Sequence, residues 1–199
     1  MIAGATLVVT AYLVGAIPFG LLVGRMEKGI DIRRHGSGNI GTSNVLRTLG
    51  KRAAFLTLAG DLLKGYLPLL AGILLGISEP WLAAAGVCAV IGHSWSPYIG
   101  FRGGKGVATS FGAALAFMPG IAGLTLLVYL SIAGLTRYTS LAALIGSASM
   151  LLWAHLLKAS QARVLFAAAC TILIYVRHRE NVQRLINGNE RKIGQRVEV

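Results

Sequence analysis

The sequence predicts an all-α protein: a polytopic membrane helix bundle of about seven transmembrane helices, with the N-terminus outside and the C-terminus cytoplasmic. Three observations carry that prediction. Mean hydropathy is +0.68, and hydrophobic residues make up 55% of the chain against 13% charged, about half the charged share of a soluble domain. Long uncharged runs recur along all 199 residues, more apolar side chain than a globule of that length can hide from water. The net charge of +12 sits almost wholly in the segments between those runs. Such cations suit cytoplasmic loops facing anionic lipid or substrate. Nucleic acid is disfavoured as a partner, because the basic residues form no helix face or soluble module.

Residues 1–24 carry no charge and lead to Arg25. A cleaved signal peptide needs a positive start, and here the cations follow, so the stretch reads as the first membrane helix. Residues 53–78, interrupted only by Asp61 and Lys64, form the second helix and residues 81–91 the third. Residues 106–136 are uncharged throughout. As one helix they would run about 46 Å, against a hydrocarbon core of about 30 Å, and Met118-Pro119-Gly120 in their middle is a turn signal. Residues 141–157 and 164–176 complete the set.

Charge decides whether 106–136 crosses once or twice. Residues 25–52 hold seven Lys and Arg, followed by Arg102 with Lys105, then Arg137, and six more in residues 177–196. Folding back at Pro119 places all of these, 16 of the 19 cations, on one side. The positive-inside rule selects that arrangement. Helices 106–118 and 164–176 are short, and are expected to tilt, to extend into polar residues or to span half the bilayer. No repeat or linker divides the chain, so residues 1–199 are expected to form one domain. Cys88 and Cys170 lie in apolar runs without ligand partners and read as buried hydrophobes.

Three polar segments fall on the cytoplasmic side. The first is "RRHGSGNIGTSNVLRTLGKR", residues 33–52, where glycines alternate with Ser37, Asn39, Thr42, Ser43 and Asn44. Flexible backbone with short donor side chains fits an anion site spanning Ser37, Gly38, Asn39, Ser43 and Asn44. Ser43 or Asn44 also reads as the N-cap of a short helix ending near Leu49. The second is "GFRGGKGVAT", in which Gly103, Gly104, Lys105 and Gly106 open an apolar helix. It is not a Walker A loop, since Gly106 follows Lys105 where Ser or Thr would stand. Free amides at a helix start beside a lysine fit a phosphate. The plainer alternative is a flexible loop whose Arg102 and Lys105 enforce topology.

The third is "VRHREN", residues 176–181. Arg177, His178 and Arg179 read equally as a stop-transfer cluster, while His178 and Asn181, three apart, share a helix face. His93 reads as an interfacial histidine beside the belt residues Trp95 and Tyr98. Asp61 and Lys64 read as an internal ion pair, with a part in lining the site as the alternative. No aspartate pair, Cys/His cluster or G-x-S-x-G elbow is present. This disfavours metal-dependent phosphotransfer and a serine nucleophile; no metal or cofactor is expected.

The segments "GSGNIGTSNVLR", "HSWSPYIGFRGGKGVAT" and "RHRENVQRLINGNE" together resemble the three cytoplasmic motifs of the bacterial acyl-phosphate:glycerol-3-phosphate acyltransferases, and "GDLLKG", residues 60–65, is similar to a further family segment. Thr42-Ser43 stands where the family more often has Ala-Thr, and Trp95 where phenylalanine is usual. The resemblance implies an inner-membrane, multi-pass enzyme with its site at the cytoplasmic face. It would move a fatty acyl group from acyl phosphate to the 1-hydroxyl of glycerol 3-phosphate, giving lysophosphatidic acid and phosphate. Its partners would be those two substrates and membrane lipid, and a monomer is expected. The resemblance assigns Ser37, Arg47, His178 and Asn181 to the glycerol phosphate, with Lys105 as a shared candidate, while the residue chemistry puts the donor phosphate on the 103–106 amides with Lys105. The base is His178 or a substrate phosphate oxygen. The rival reading is a transporter of phosphate or organophosphate anions, disfavoured by one-sided motifs and the lack of a repeat.

Overall fold

The computed structural model describes residues 1–195, whose regular structure is helical. The first apolar run is two helices, not one: α1 (Ile2–Gly15) and α2 (Phe19–Lys28). The break falls at Ile17-Pro18, because proline lacks a backbone donor and excludes the helical region for the residue before it. A 3-10 turn (Ile32–Arg34) and the short α3 (Thr42–Leu49) precede α4 (Lys51–Leu74) and α5 (Glu79–Ser94). A second 3-10 turn (Pro97–Ile99) leads to α6 (Val107–Phe117) and α7 (Pro119–Thr136). The chain ends with α8 (Thr139–Leu156), α9 (Gln161–Arg177) and the short α10 (Arg179–Ile186).

The 106–136 run does fold at Pro119, which opens α7 at its first turn, where a missing donor costs nothing. The two helices read as short take different courses. α9 gains a turn through Gln161 and Arg163, with Ser160 Oγ accepting from Arg163 N at 3.4 Å. α6 stays at 11 residues, about 16 Å, half a hydrocarbon core. Four helical stretches are long and apolar enough to cross one: Ile2–Lys28, Lys51–Leu74, Pro119–Thr136 and Thr139–Leu156.

Lipid tails supply no hydrophobic drive between helices, so close packing of small residues replaces it. α6 lies directly on α4: a Cβ on Gly65 would fall 2.1 Å from Thr109 O, and one on Gly112 would fall 2.0 Å from Leu62 O. α1 meets α5 the same way, with Gly92 against Tyr12 O and Gly15 against Ala89 O. Phe117 and Phe166 close the centre edge to face, 5.9 Å apart. Leu127 and Leu135 of α7 face outward, where lipid would cover them. The connections 29–41, 95–106 and 178–195 gather at one end of the bundle, where all three supply residues to one cavity.

Candidate active site

The first polar segment is ordered by one side chain. The cap of α3 is Gly41, with no side-chain bond, so neither Ser43 nor Asn44 plays the expected capping part. Asn44 is buried one turn into the helix. Its Nδ2 donates to the carbonyls of Ile32 (3.3 Å), His35 (3.0 Å) and Asn39 (2.9 Å), and its Oδ1 accepts from Ser37 N at 2.8 Å. Gly36 holds φ +63 against it; a Cβ there would meet Asn44 Oδ1 at 2.2 Å. Asn39 Oδ1 is likewise occupied, by Gly41 N at 2.8 Å. Ser43 Oγ donates to Thr139 Oγ1 at 3.4 Å. Asn44 thus holds the loop in shape, and what the segment leaves for a ligand is Ser37, exposed at the rim, Arg47, and the Thr42 hydroxyl, which has no partner among the described residues. The half-buried guanidinium of Arg47 has an Nε without an acceptor among the described residues, an arrangement that costs free energy unless a ligand supplies one.

The second segment is held from behind. Gly103 N donates to Ser94 O (3.2 Å) and Gly104 N to His93 O (3.0 Å), the carbonyls that end α5. Arg177 takes the opposite face, with Nε on Gly104 O and Nη2 on Gly103 O, both at 3.0 Å, and its guanidinium 5.3 Å over the Trp95 ring. Trp95 is thus a platform for Arg177 and not a belt anchor, and Arg177 is a clamp and not merely a stop-transfer charge. Gly106, at φ +81, caps α6, whose ladder begins with Ser110 N to Gly106 O at 2.8 Å. The amides of Val107, Ala108 and Thr109 precede that ladder, the arrangement that receives an anion. Burial pushes the Lys105 ammonium down to about 8, with Arg184 and Arg47 adding to the effect against Glu190 and Glu180.

The third segment meets the second directly. Lys105 Nζ donates to Asn181 Oδ1 at 2.5 Å, Asn181 Nδ2 to Glu190 Oε1 at 2.6 Å, and Arg184 Nε to Glu190 Oε2 at 2.7 Å. His178 sits at the joint between α9 and α10, 3% exposed. Its Nδ1 lies 2.8 Å from Ile174 O. A carbonyl only accepts, so Nδ1 carries the proton and Nε2 keeps a free lone pair. Burial, with Lys105 next, pushes the imidazole down to about 4, so it is neutral near pH 7.

All three segments open on one cavity of about 450 Å³. Of the twelve residues singled out in the sequence, Ser37, Asn39, Ser43, Asn44, Arg47, Lys105, Gly106, His178 and Asn181 line it, while Gly38, Gly103 and Gly104 lie behind. The cavity continues away from the polar end between α6, α7 and α8, past Phe111, Leu126, Leu130 and Met150. Sequence reading missed Glu190 and the coupling of Asp61 to His93. Both of these last residues line the cavity. His93 is 4% exposed, so it is not interfacial. Asp61 and Lys64 do pair, at 2.7 Å. Among the described residues, no group of three His, Cys, Asp or Glu is placed to hold a metal. Cys88 and Cys170 are both unpaired.

Comparison with known proteins places this geometry. The family model described as glycerol-3-phosphate acyltransferase matches residues 5–188. Glycerol-3-phosphate acyltransferase of Geobacter sulfurreducens is 42% identical over 94% of this chain and 95% of its own. The Clostridioides difficile enzyme is 44% identical over 96% and 95%. Among solved structures, PlsY, an integral membrane glycerol 3-phosphate acyltransferase, superposes in its glycerol 3-phosphate form with a TM-score of 0.92 at 39% identity, over 96% of both chains. Its lysophosphatidic acid form gives 0.90 at 38%, over 97% of this chain and 96% of its own.

Proposed function

The chain belongs to the glycerol-3-phosphate acyltransferase family, an integral-membrane acyltransferase, and from that premise we propose that it transfers a fatty acyl group from acyl phosphate to the 1-hydroxyl of glycerol 3-phosphate. The products are lysophosphatidic acid and inorganic phosphate. The observation that carries this reading is the cavity's two-part character: a cationic polar end continuous with an apolar trough between α6, α7 and α8. An amphiphile with a phosphate head fits such a space, and a small inorganic anion would leave most of it unfilled.

The donor phosphate lies on the amides that open α6, beside Lys105. Arg47, whose Nε lacks an acceptor, and Ser37 receive the phosphate of the acceptor, with Asn181 and Lys105 between the two anions. Asn39, Asn44 and Ser43 act by holding the first loop in shape, since Asn39 Oδ1, both ends of the Asn44 amide and Ser43 Oγ are already engaged. Gly38 acts likewise; its φ of +70 keeps that turn. Gly103 and Gly104 seat the second loop on α5.

In the reaction the glycerol 1-oxygen bonds to the carbonyl carbon, and the bond from that carbon to the phosphate oxygen breaks. The hydroxyl proton passes to His178 Nε2 or to a phosphate oxygen. Two dianions must be brought together, and cations fixed in advance lower that barrier. Each hydrogen bond to a charged group contributes about 1.5–3 kcal/mol.

For the membrane we propose seven membrane segments: α1 with α2 as one, then α4 to α9, with the 11-residue α6 reaching only part of the way through the core before the chain turns at Pro119. The N-terminus lies outside, and the active site and C-terminus face the cytoplasm at the bacterial inner membrane. Residues from Ser37 to Ile193 line one cavity, which supports a single domain, and we propose that it acts as a monomer. The test is phosphate release by detergent-purified protein given acyl phosphate and glycerol 3-phosphate. Release that depends on both substrates is expected, with Lys105→Ala at least about 100-fold slower yet folded. Absence of release, as a transporter would give, overturns the reading.

A further inference from the structure

Below the second loop lies a polar cluster that the acyl transfer above leaves without a part. Asp61 is 1% exposed, Lys64 2% and His93 4%. Ionised groups so deep in a helical bundle are costly and persist where they do something besides fill space. Their connections run in one direction. Lys64 Nζ donates to Ile17 O at 2.7 Å, the carbonyl at the break before Pro18, and lies 2.7 Å from Asp61 Oδ1. That same oxygen faces His93 Nδ1 at 3.5 Å, a ring nitrogen with no other partner among the described residues. The opposite edge of the imidazole rests on Gly104: a Cβ there would fall 2.1 Å from Nε2 and 2.8 Å from Cε1. The backbone of His93 also receives Gly104 N at 3.0 Å. Asp61 orients the ring, and the ring backs the loop that carries Lys105.

We propose that His93, oriented by the Asp61–Lys64 pair, is a positioning residue that sets the height of the Gly103–Gly106 loop and so the affinity for the donor's phosphate. The loop has carbonyl clamps from Arg177 on one side and the imidazole on the other; remove the ring and the loop is free to sink, drawing Lys105 and the amides that open α6 away from the cavity. A displacement of about 1 Å at a reacting group is enough to cost up to about 100-fold. The first loop, ordered by Asn44 and carrying Arg47, does not touch this cluster through any hydrogen bond or ion pair described above. The acceptor site should therefore be spared. The inference rests on the assignment of the donor phosphate to the second loop.

The test uses the full chain in detergent. His93→Asn keeps a donor where Nδ1 stands and leaves the ion pair intact, but removes the ring beneath Gly104. A second variant, Asp61→Asn with Lys64→Met, removes both charges together and so leaves no buried ion unpaired. Both should raise KM for acyl phosphate about tenfold or more while KM for glycerol 3-phosphate moves less than about twofold. Combining all three substitutions should add little, because both routes act through one ring. Calorimetric titration with inorganic phosphate reads the same loop without turnover and should show weaker binding in both variants. Folded variants with unchanged KM for acyl phosphate and unchanged phosphate binding overturn the proposal. Equal increases in both KM values, or multiplicative effects in the combined variant, do so as well. If the unsubstituted protein releases no phosphate from acyl phosphate, the proposed function fails, and the phosphate titration alone then decides whether His93 sets the loop.

Discussion

Two ion pairs of equal length sit in opposite surroundings. Asp61–Lys64 is 2.7 Å long with its side chains 2% and 1% exposed, midway along α4. Glu79–Arg163 is also 2.7 Å, joins the start of α5 to that of α9, and is 36% and 38% exposed. The inner pair touches a helix break and a histidine of the cavity. The outer pair is dressed by ordinary surface contacts: Ser160 Oγ donates to Glu79, and Arg163 lies 5.3 Å over the Phe117 ring. Distance alone says nothing of importance here; the medium decides. A desolvated charge loses tens of kcal/mol of hydration in the ideal limit and several after relaxation, whereas a solvated pair contributes about 0–1 kcal/mol.

The sharpest way to break that comparison is to remove one partner from the inner pair. Lys64→Met leaves Asp61 buried without its cation, facing only the His93 ring, and should cost about 3–5 kcal/mol. In detergent melts this appears as a fall in Tm of more than about 6 °C. Adding Asp61→Asn should recover most of the loss. If Lys64→Met melted like the unsubstituted protein, the inner pair would be as solvated as the outer one.

The inner pair also marks where sequence reading stops. Apolar runs revealed the helices, and Pro119 revealed the fold between α6 and α7, because both signals are local. The break at Pro18 was equally local, yet hidden inside an uncharged stretch that is still apolar on both sides of it. Motif chemistry brought nine of twelve site residues to the cavity, because glycines, amides and cations cluster within each segment. Contacts between distant segments had no such trace. Asp61 and His93 are 32 positions apart on different helices, and only packing of α4 beside α5 makes them neighbours. Asn44 read as a cap because its type favours caps, while its actual work, bonding three carbonyls and an amide, depends on a loop path that composition does not determine. Arg177 read as one charge among several for the same reason.

A smaller effect sharpens the contrast between buried and solvated charge at Lys105. Burial holds its ammonium down at about 8, so it is protonated below that pH and neutral above. A reaction needing its charge loses kcat/KM as pH rises through about 8, at up to about tenfold per pH unit, since kcat/KM follows the free enzyme. Lys105→Arg stays charged throughout. Whatever activity it retains should lack the alkaline fall. A fall of equal steepness in that variant would assign the titration to another group, and a profile flat to pH 9 in the unsubstituted protein would remove Lys105 as its source.

The smallest effect belongs to the outer pair. Arg163→Ala removes an ion pair that solvent already screens, together with a cation–π contact on Phe117 worth about 0.5–1 kcal/mol at an exposed site. Glu79 stays accessible and keeps the hydroxyl of Ser160, so no buried ion is stranded. The loss should be about 1 kcal/mol or less, a Tm shift of about 2–4 °C, with phosphate release unchanged within about twofold. The cavity of about 350 Å³ that Glu79 and Arg163 help to line lies away from all three polar segments, lined by none of their residues. A substantial loss of turnover in Arg163→Ala would mean that the two ends of the bundle are coupled, with Phe117 and α6, a helix that lines both cavities, as the first route to test.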